Sequence, residues 1–227
     1  MIRLVLFDID GTLVHTGGAG IKAFARAFAT AFGVPDGVGQ LKFAGRTDVS
    51  LVREFFTLHN IEPSPENFDR FFASYLHWLQ QIIPDCKGGA CRGVLEFYQS
   101  LRAQPEPPLT GLLTGNIKQG ARIKLERFDL WDKFPFGGFA DDHEERDQIA
   151  AAALRRGSRH LGRDLRGDEV LVIGDTPLDI RCGRAIGAKV LAVATGGSSL
   201  EELERHNPDW VAADLTHISA TQVLERG

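Results

Sequence analysis

The chain has 227 residues, is 43% hydrophobic and 25% charged, and carries a formal net charge of −4 at pH 7. That composition supplies a folded core and excludes a disordered chain, and the slight acidity, with no Lys/Arg stripe, argues against a nucleic-acid partner. No apolar run approaches the roughly 20 residues of a membrane-spanning helix, and the opening run Met1–Phe7 is cut off by Asp8 with no small-residue cleavage site behind it, so a cytoplasmic protein is expected.

Ile2–Phe7 is short, apolar and partly β-branched, and it ends in an acidic, glycine-bearing turn. It reads as a buried strand. The pattern then changes to helical spacing. Ile21, Phe24, Phe28 and Phe32 mark a helix over 19–32, Leu51–Leu58 a second, and the Phe-rich stripe of 66–83 a third. That stripe is expected to be packing core. Beyond Gly88-Gly89, strands and helices alternate. The expected strands are Leu109–Leu113, Phe136–Phe139, Glu169–Gly174, Lys189–Ala194 and Trp210–Ala213. The expected helices are Val94–Leu101, 118–128, 144–156, Pro177–Ile186, one capped by Ser198 that runs to His206, and one at the C-terminus. Such alternation predicts an α/β fold, a Rossmann-like parallel sheet with helices on both faces. The helical block interrupts it as an insertion. The expected division is a core of 1–14 and 89–227 with a helical cap of 15–88. The three cysteines are too few for a disulfide framework, and Cys86 and Cys91 lack a second pair at metal spacing, so reduced thiols are expected.

Three polar clusters fall where predicted strands end. They are Asp8-Ile9-Asp10-Gly11-Thr12, Thr114-Gly115-Asn116, and Gly174-Asp175-Thr176-Pro177-Leu178-Asp179. Ligands of open α/β sheets bind beyond the carboxyl ends of the strands, so strand pairing can gather all three at one edge. Each cluster alone is also a common turn or helix start; their joint occurrence at strand ends sets them apart. Asp8, Asp10, Asp175 and Asp179 would place up to four carboxylates in one crevice, which repel one another unless a cation sits among them. Hard oxygen ligands without Cys or His suggest Mg²⁺. The Thr114 hydroxyl and the Gly115 and Asn116 amides, next to a helix start, suit a phosphate. Together these features point to phosphoryl transfer.

At these residues the chain resembles the haloacid dehalogenase-like phosphatase superfamily. Phe7–Leu13 resembles its first motif, Thr114–Asn116 its second, and Gly174–Asp179 its fourth. The likeness extends over essentially the whole chain and is greatest to the phosphoglycolate-phosphatase and β-phosphoglucomutase branch, whose members carry helical caps. The resemblance implies Asp8 as the nucleophile that forms an aspartyl-phosphate, and Asp10 as the general acid and base. It implies Mg²⁺ held by Asp8, the Asp10 main-chain carbonyl, Asp175 and Asp179, with Thr114 and Gly115 on the phosphate.

The third motif departs from the family. A Lys, often followed by Pro, is usual there, whereas the chain reads Asp141-Asp142-His143-Glu144-Glu145-Arg146-Asp147-Gln148. Arg146 is the candidate cation, with Lys118 and Lys124 as runners-up; an Arg can bridge the phosphate and Asp8. The resemblance implies phosphate esters over carbon–halogen or phosphonate bonds, since relatives that act on the latter two lack a carboxylate at the position of Asp10. His15 stands where the branch commonly has Asp and lies where the chain leaves for the cap. The loop Ala44-Gly45-Arg46-Thr47-Asp48 resembles the cap loop that faces the active site, so Arg46 and Thr47 are candidate substrate contacts, Arg46 for a second anionic group; Thr47 or Asp48 would also cap the following helix. The expected function is a Mg²⁺-dependent phosphatase for a small phosphorylated metabolite, phosphoglycolate-like or a sugar phosphate. The alternatives are a phosphomutase of the β-phosphoglucomutase kind and a non-catalytic protein that binds a phosphorylated metabolite.

Overall fold

The computed structural model describes residues 1–35 and 37–225. Its first strand, β1 (Leu4–Phe7), is buried along its whole length. It lies at the centre of a six-stranded sheet, which explains an apolar run without alternation: a parallel strand covered on both faces has no solvent side. The chain then pairs two residues, β2 (Val14–His15), and passes into α1 (Ala19–Phe32), α2 (Asp48–Leu58) and α3 (Pro65–Ile82). It returns through β3 (Gly89–Ala90), antiparallel to β2. There follow α4 (Val94–Arg102), β4 (Leu109–Leu113), α5 (Lys118–Glu126), β5 (Gly137–Gly138), α6 (Arg146–Leu161), β6 (Val170–Gly174) and α7 (Pro177–Ala185). The chain closes with β7 (Lys189–Val193), α8 (Leu200–Glu204), β8 (Trp210–Ala212) and α9 (Ala220–Glu225).

The sheet order is β5-β4-β1-β6-β7-β8, with every pair parallel. Successive residues of each strand point to opposite faces. Val5, Phe7, Leu112, Leu171 and Ile173 pack with α4, α5 and α9 on one side. Leu4, Leu6, Leu113, Val170 and Val172 pack with α6, α7 and α8 on the other. The three inserted helices have their own core, in which Phe24, Phe28, Phe55, Phe56, Phe71 and Tyr75 are buried and Ile117 of the sheet domain joins them. No helix among the described residues is long and apolar enough to cross a membrane.

Local differences from the sequence reading have identifiable causes. The strand expected over Phe136–Phe139 shortens to two glycines at the sheet edge. Ser199, not Ser198, caps α8, accepting from the Glu202 amide at 3.2 Å, and the helix ends at Glu204. Helix α6 starts at Arg146 and runs on to Leu161. Its Gly157 looks like a stop in sequence but is a packing position, where a Cβ would lie 2.5 Å from Leu4 Cδ2.

The two crossings between the sheet domain and the inserted helices are close backbone contacts. A Cβ on Gly88 would stand 2.1 Å from the His15 carbonyl oxygen, whereas one on Gly89 would meet nothing within 4 Å. Backbone cannot retreat as a flexible side chain can, so Gly88→Ala is expected to cost about 1–3 kcal/mol of stability. Gly89→Ala is the matched control, expected to stay within about 1 kcal/mol of the parent. Urea denaturation of the two variants checks this, and equal midpoints would contradict the close-crossing account.

Candidate active site

The register of β1 explains how residues far apart in sequence meet. Phe7 pairs with Leu112 on one side and Ile173 on the other. One step further along, Asp8 is flanked by the chain leading into Thr114 and by the chain leading into Asp175. The Asp8 amide continues the ladder by donating to the Ile173 carbonyl at 2.9 Å. Asp8, Asp175 and Asp179 then lie together, each offering a carboxylate oxygen within 4.8 Å of the others, and all three are buried.

Arg146 meets this cluster from the first turn of α6. Its Nη2 lies 3.4 Å from Asp8 Oδ1 and pairs closely with Asp179 Oδ1, and its Nη1 donates to the Gly45 carbonyl at 3.1 Å. Burial works against the guanidinium charge, but Asp179 and Asp8 outweigh it and hold Arg146 protonated. Lys118 is elsewhere: it is exposed and lines a separate cavity with Trp131 and Arg156. Lys124 is buried but meets Asp10 rather than Asp8, with its Nζ 2.7 Å from Asp10 Oδ2.

Three negative charges against one arginine leave two uncompensated. The consequence shows in the titration of the group. Burial, then the Asp179 charge, raises Asp8 to about 7 and Asp175 to about 8. Asp175 Oδ1 accepts from the Thr12 hydroxyl at 3.0 Å. Its Oδ2 is cradled by two glycines, since a Cβ on Gly11 or Gly196 would come within 2.6 or 1.6 Å of it. Asp179 has a second task. Its Oδ2 accepts from the Thr176 amide and hydroxyl at 3.0 and 2.6 Å, closing a capping box at the start of α7. The donor set is hard oxygen, short by two positive charges and shaped by glycines, and it fits one divalent cation.

The site opens into a cavity of about 470 Å³ lined by Asp8, Asp10, Thr114, Gly115, Asn116 and Arg146 among others. The cap side supplies Phe24, Phe43, Arg46, Asp48, Leu51 and Tyr75. The loop of Arg46 sits directly on the second motif: a Cβ on Gly115 would be 2.2 Å from the Arg46 carbonyl oxygen. The Asp48 amide donates to the Gly115 carbonyl at 2.7 Å, and the Ile117 amide donates to Asp48 Oδ2 at 2.8 Å. His15 lines the mouth and is exposed.

Three expected contacts are redirected. Thr47 does not line the cavity. Its Oγ1 accepts from the Ser50 amide at 3.2 Å as the α2 cap and donates to the Glu144 carbonyl at 2.8 Å, so the hydroxyl both donates and accepts within the protein. Arg46 does line it, but is ion-paired with Glu54 and donates to the Ser50 carbonyl at 3.3 Å. Asn116 turns its amide inward, where Nδ2 donates to Asp10 Oδ2 at 2.8 Å and to Thr114 Oγ1 at 2.7 Å, and its backbone amide also points at Thr114 Oγ1. Asp48 and Tyr75 are cavity residues that sequence reasoning did not single out as such. Burial raises the Asp48 carboxyl to about 7 against the pull of Lys124.

A family profile described as haloacid dehalogenase-like hydrolase matches residues 5–193. Among curated relatives, the chain is 26% identical to pyrophosphatase PpaX of Halalkalibacterium halodurans over 94% of either chain. It is 25% identical to phosphoglycolate phosphatase of Photorhabdus laumondii, covering 97% of this chain and 92% of that protein. Among solved structures, CbbY of Rhodobacter sphaeroides in complex with phosphate shares the fold at a TM-score of 0.76 and 14% identity, over 99% of this chain and 100% of that one. A hydrolase from Pseudomonas syringae does so at 0.74 and 21%, over 96% and 95%. With the profile spanning most of its length and the fold matched end to end, the chain belongs to the haloacid dehalogenase-like hydrolases.

Proposed function

We propose that the protein is a Mg²⁺-dependent phosphatase that hydrolyses a small phosphate monoester through an aspartyl-phosphate on Asp8. The observation that carries the reading is the cluster of three buried carboxylates with one arginine, open to a cavity that also holds Asp10. Asp8, Asp175, Asp179 and the Asp10 main-chain carbonyl would hold the metal. A bound Mg²⁺ would offset the carboxylate charge and lower the repulsion between an anionic nucleophile and an anionic ester.

The chain's own groups divide the remaining work. Arg146 orients the Asp8 carboxylate through Oδ1 and presents positive charge to the phosphoryl oxygens. Thr114 Oγ1 accepts from Asn116, which leaves its hydroxyl hydrogen to donate to the phosphate. Asp10 gives a proton to the leaving oxygen and later takes one from the attacking water. The cap loop over Gly115 closes this volume against bulk solvent.

The cavity also bears on the leaving group. Arg46 is paired with Glu54, Lys124 with Asp10, and Arg146 with Asp8 and Asp179. Those cations are engaged by carboxylates, and Asp48 adds acidic character on the cap side. This supports a neutral, hydroxyl-bearing leaving group, as in a sugar phosphate, over the anionic ones of phosphoglycolate or pyrophosphate.

Asp8→Asn is expected to reduce phosphate release from p-nitrophenyl phosphate by at least about 10³-fold, since the amide is a poor nucleophile; a loss under tenfold would remove Asp8 from that role. Kinetics on a panel of esters are expected to rank a hexose phosphate above phosphoglycolate and pyrophosphate in kcat/KM. Glu54→Gln, which frees Arg46, is expected to shift the ratio toward phosphoglycolate by about tenfold, the size of one charge-assisted hydrogen bond. An unchanged ratio would contradict the account of Arg46.

The raised carboxyls fix a pH dependence. A carboxyl with a folded pKa above its unfolded value binds protons more tightly in the folded state, so its contribution to stability is full at low pH and is lost as pH rises through the folded pKa. For Asp8, Asp48 and Asp175 that window runs from the ordinary carboxylate range up to about 8. Metal-free protein is therefore expected to melt at a lower temperature near pH 8 than near pH 5.5. Mg²⁺ is expected to stabilise it more near pH 8, where fewer protons compete with it for Asp8 and Asp175. Thermal melts with EDTA or Mg²⁺ at constant ionic strength check this, and a metal effect independent of pH would contradict it.

A further inference from the structure

We propose that Lys124 is a positioning residue for proton transfer: with Asn116 it locks the Asp10 carboxyl so that Oδ1 alone exchanges the proton. The inference rests on the phosphatase reading above.

Lys124 lies in α5 with its side chain only 6% exposed, and its Nζ is 2.7 Å from Asp10 Oδ2 and 2.6 Å from Asn116 Oδ1. Asn116 Nδ2 closes the triangle on the same Asp10 Oδ2 at 2.8 Å. The amide orientation follows from the chemistry, because an ammonium only donates and must face the amide oxygen. Two donors thus converge on Oδ2. Oδ1 has no hydrogen-bond partner among the described residues, and the Asp10 side chain is 43% exposed at the cavity. The ammonium is also pressed against the first turn of α1, where a Cβ on Gly20 would stand 3.3 Å from Nζ. Lys124 lines the cavity, but Nζ directs its hydrogen bonds to Asp10 and Asn116, which places it to act on substrate through Asp10.

Stability alone explains this arrangement poorly. Burying an ammonium is costly, and its partner carboxylate is 43% exposed, where ion pairs return little. A methionine would fill the same helix position without that cost. The return is in the reaction. As the Asp8–phosphorus bond forms and the ester P–O bond breaks, the Asp10 Oδ1 proton passes to the leaving oxygen and the alcohol departs. The negative charge left on Asp10 develops beside a fixed ammonium that needs no reorganisation. In the second half, a water oxygen bonds to phosphorus, its proton goes to Oδ1, the Asp8–phosphate bond breaks and inorganic phosphate leaves.

The test compares two esters on the full-length, Mg²⁺-loaded protein: glycerol phosphate, whose alkoxide must be protonated, and 2,4-dinitrophenyl phosphate, whose phenolate leaves unaided. Lys124→Met is expected to lower kcat/KM about 10²-fold for the first and less than about tenfold for the second, because general acid catalysis is worth about 10²–10⁴. In an Asp10→Asn background, adding Lys124→Met is expected to change kcat/KM by less than about twofold, since residues acting through one group are not additive. Circular dichroism and melting confirm that the variant folds. If it does not, Asn116→Ala removes the other donor to Oδ2 and must show the same difference between esters. Equal losses on both esters, or additive losses in the Asp10→Asn background, would overturn the role of Lys124 alone. No phosphate release by the parent from either ester would overturn the phosphatase reading, and this inference with it.

Discussion

Two uncompensated negative charges at the ends of adjacent parallel strands are the constraint on which the rest of the site depends. β1 and β6 run side by side and stop at the same level, so Asp8 and Asp175 meet, and α7 adds Asp179 from its first turn. Burial makes this expensive. The raised Asp8 and Asp175 carboxyls register that cost. Arg146 relieves one charge, and the glycines around Asp175 keep space beside the carboxylates that larger residues would fill. A fold tolerates such a cluster when a cation or a reaction uses it, which is where local rules are most often broken.

Arg146 joins that cluster to the cap. The same guanidinium contacts Asp8, Asp179 and the Gly45 carbonyl of the cap loop. Neighbouring bonds reinforce the docking: Asp48 to Gly115, Ile117 to Asp48, Thr47 to the Glu144 carbonyl, and Arg53 to the Glu144 carboxylate at 2.8 Å. Most of these involve backbone, so they depend on the path of the loop more than on side-chain choice. One side chain thus bonds both to the loop of the inserted helices and to the carboxylate cluster.

Much of the architecture was legible because it follows from runs and periods. Apolar strands that end in acidic or Thr-Gly-Asn clusters mark the sheet edge, and the Phe spacing of α1 and α3 marks the inserted helices. The positions of Asp8, Asp10, Thr114 and Asp175 just past strand ends, and of Asp179 in the helix start that follows, could be inferred from the chain alone. What could not be read were partnerships set by side-chain reach across the fold. Lys124 meets Asp10 over 114 positions; it was a runner-up for the site cation, but its partner could not be read from the chain. Arg46 finds Glu54 along its own cap segment, and Thr47 finds a carbonyl on the opposite domain. The edge strand β5 was overextended because its aromatic neighbours look β-forming while only Gly137 and Gly138 pair.

The central claim is a covalent phosphoryl group on Asp8. Its most direct measurement is rapid acid quench of the Mg²⁺-loaded protein during turnover of p-nitrophenyl phosphate, followed by peptide mass mapping. The account predicts one added phosphoryl group on the peptide that contains Asp8, lost on hydroxylamine treatment and absent from Asp8→Asn. Turnover with no phosphorylated peptide in Asp10→Ala, where breakdown of the intermediate should be slow enough to trap it, would contradict the account.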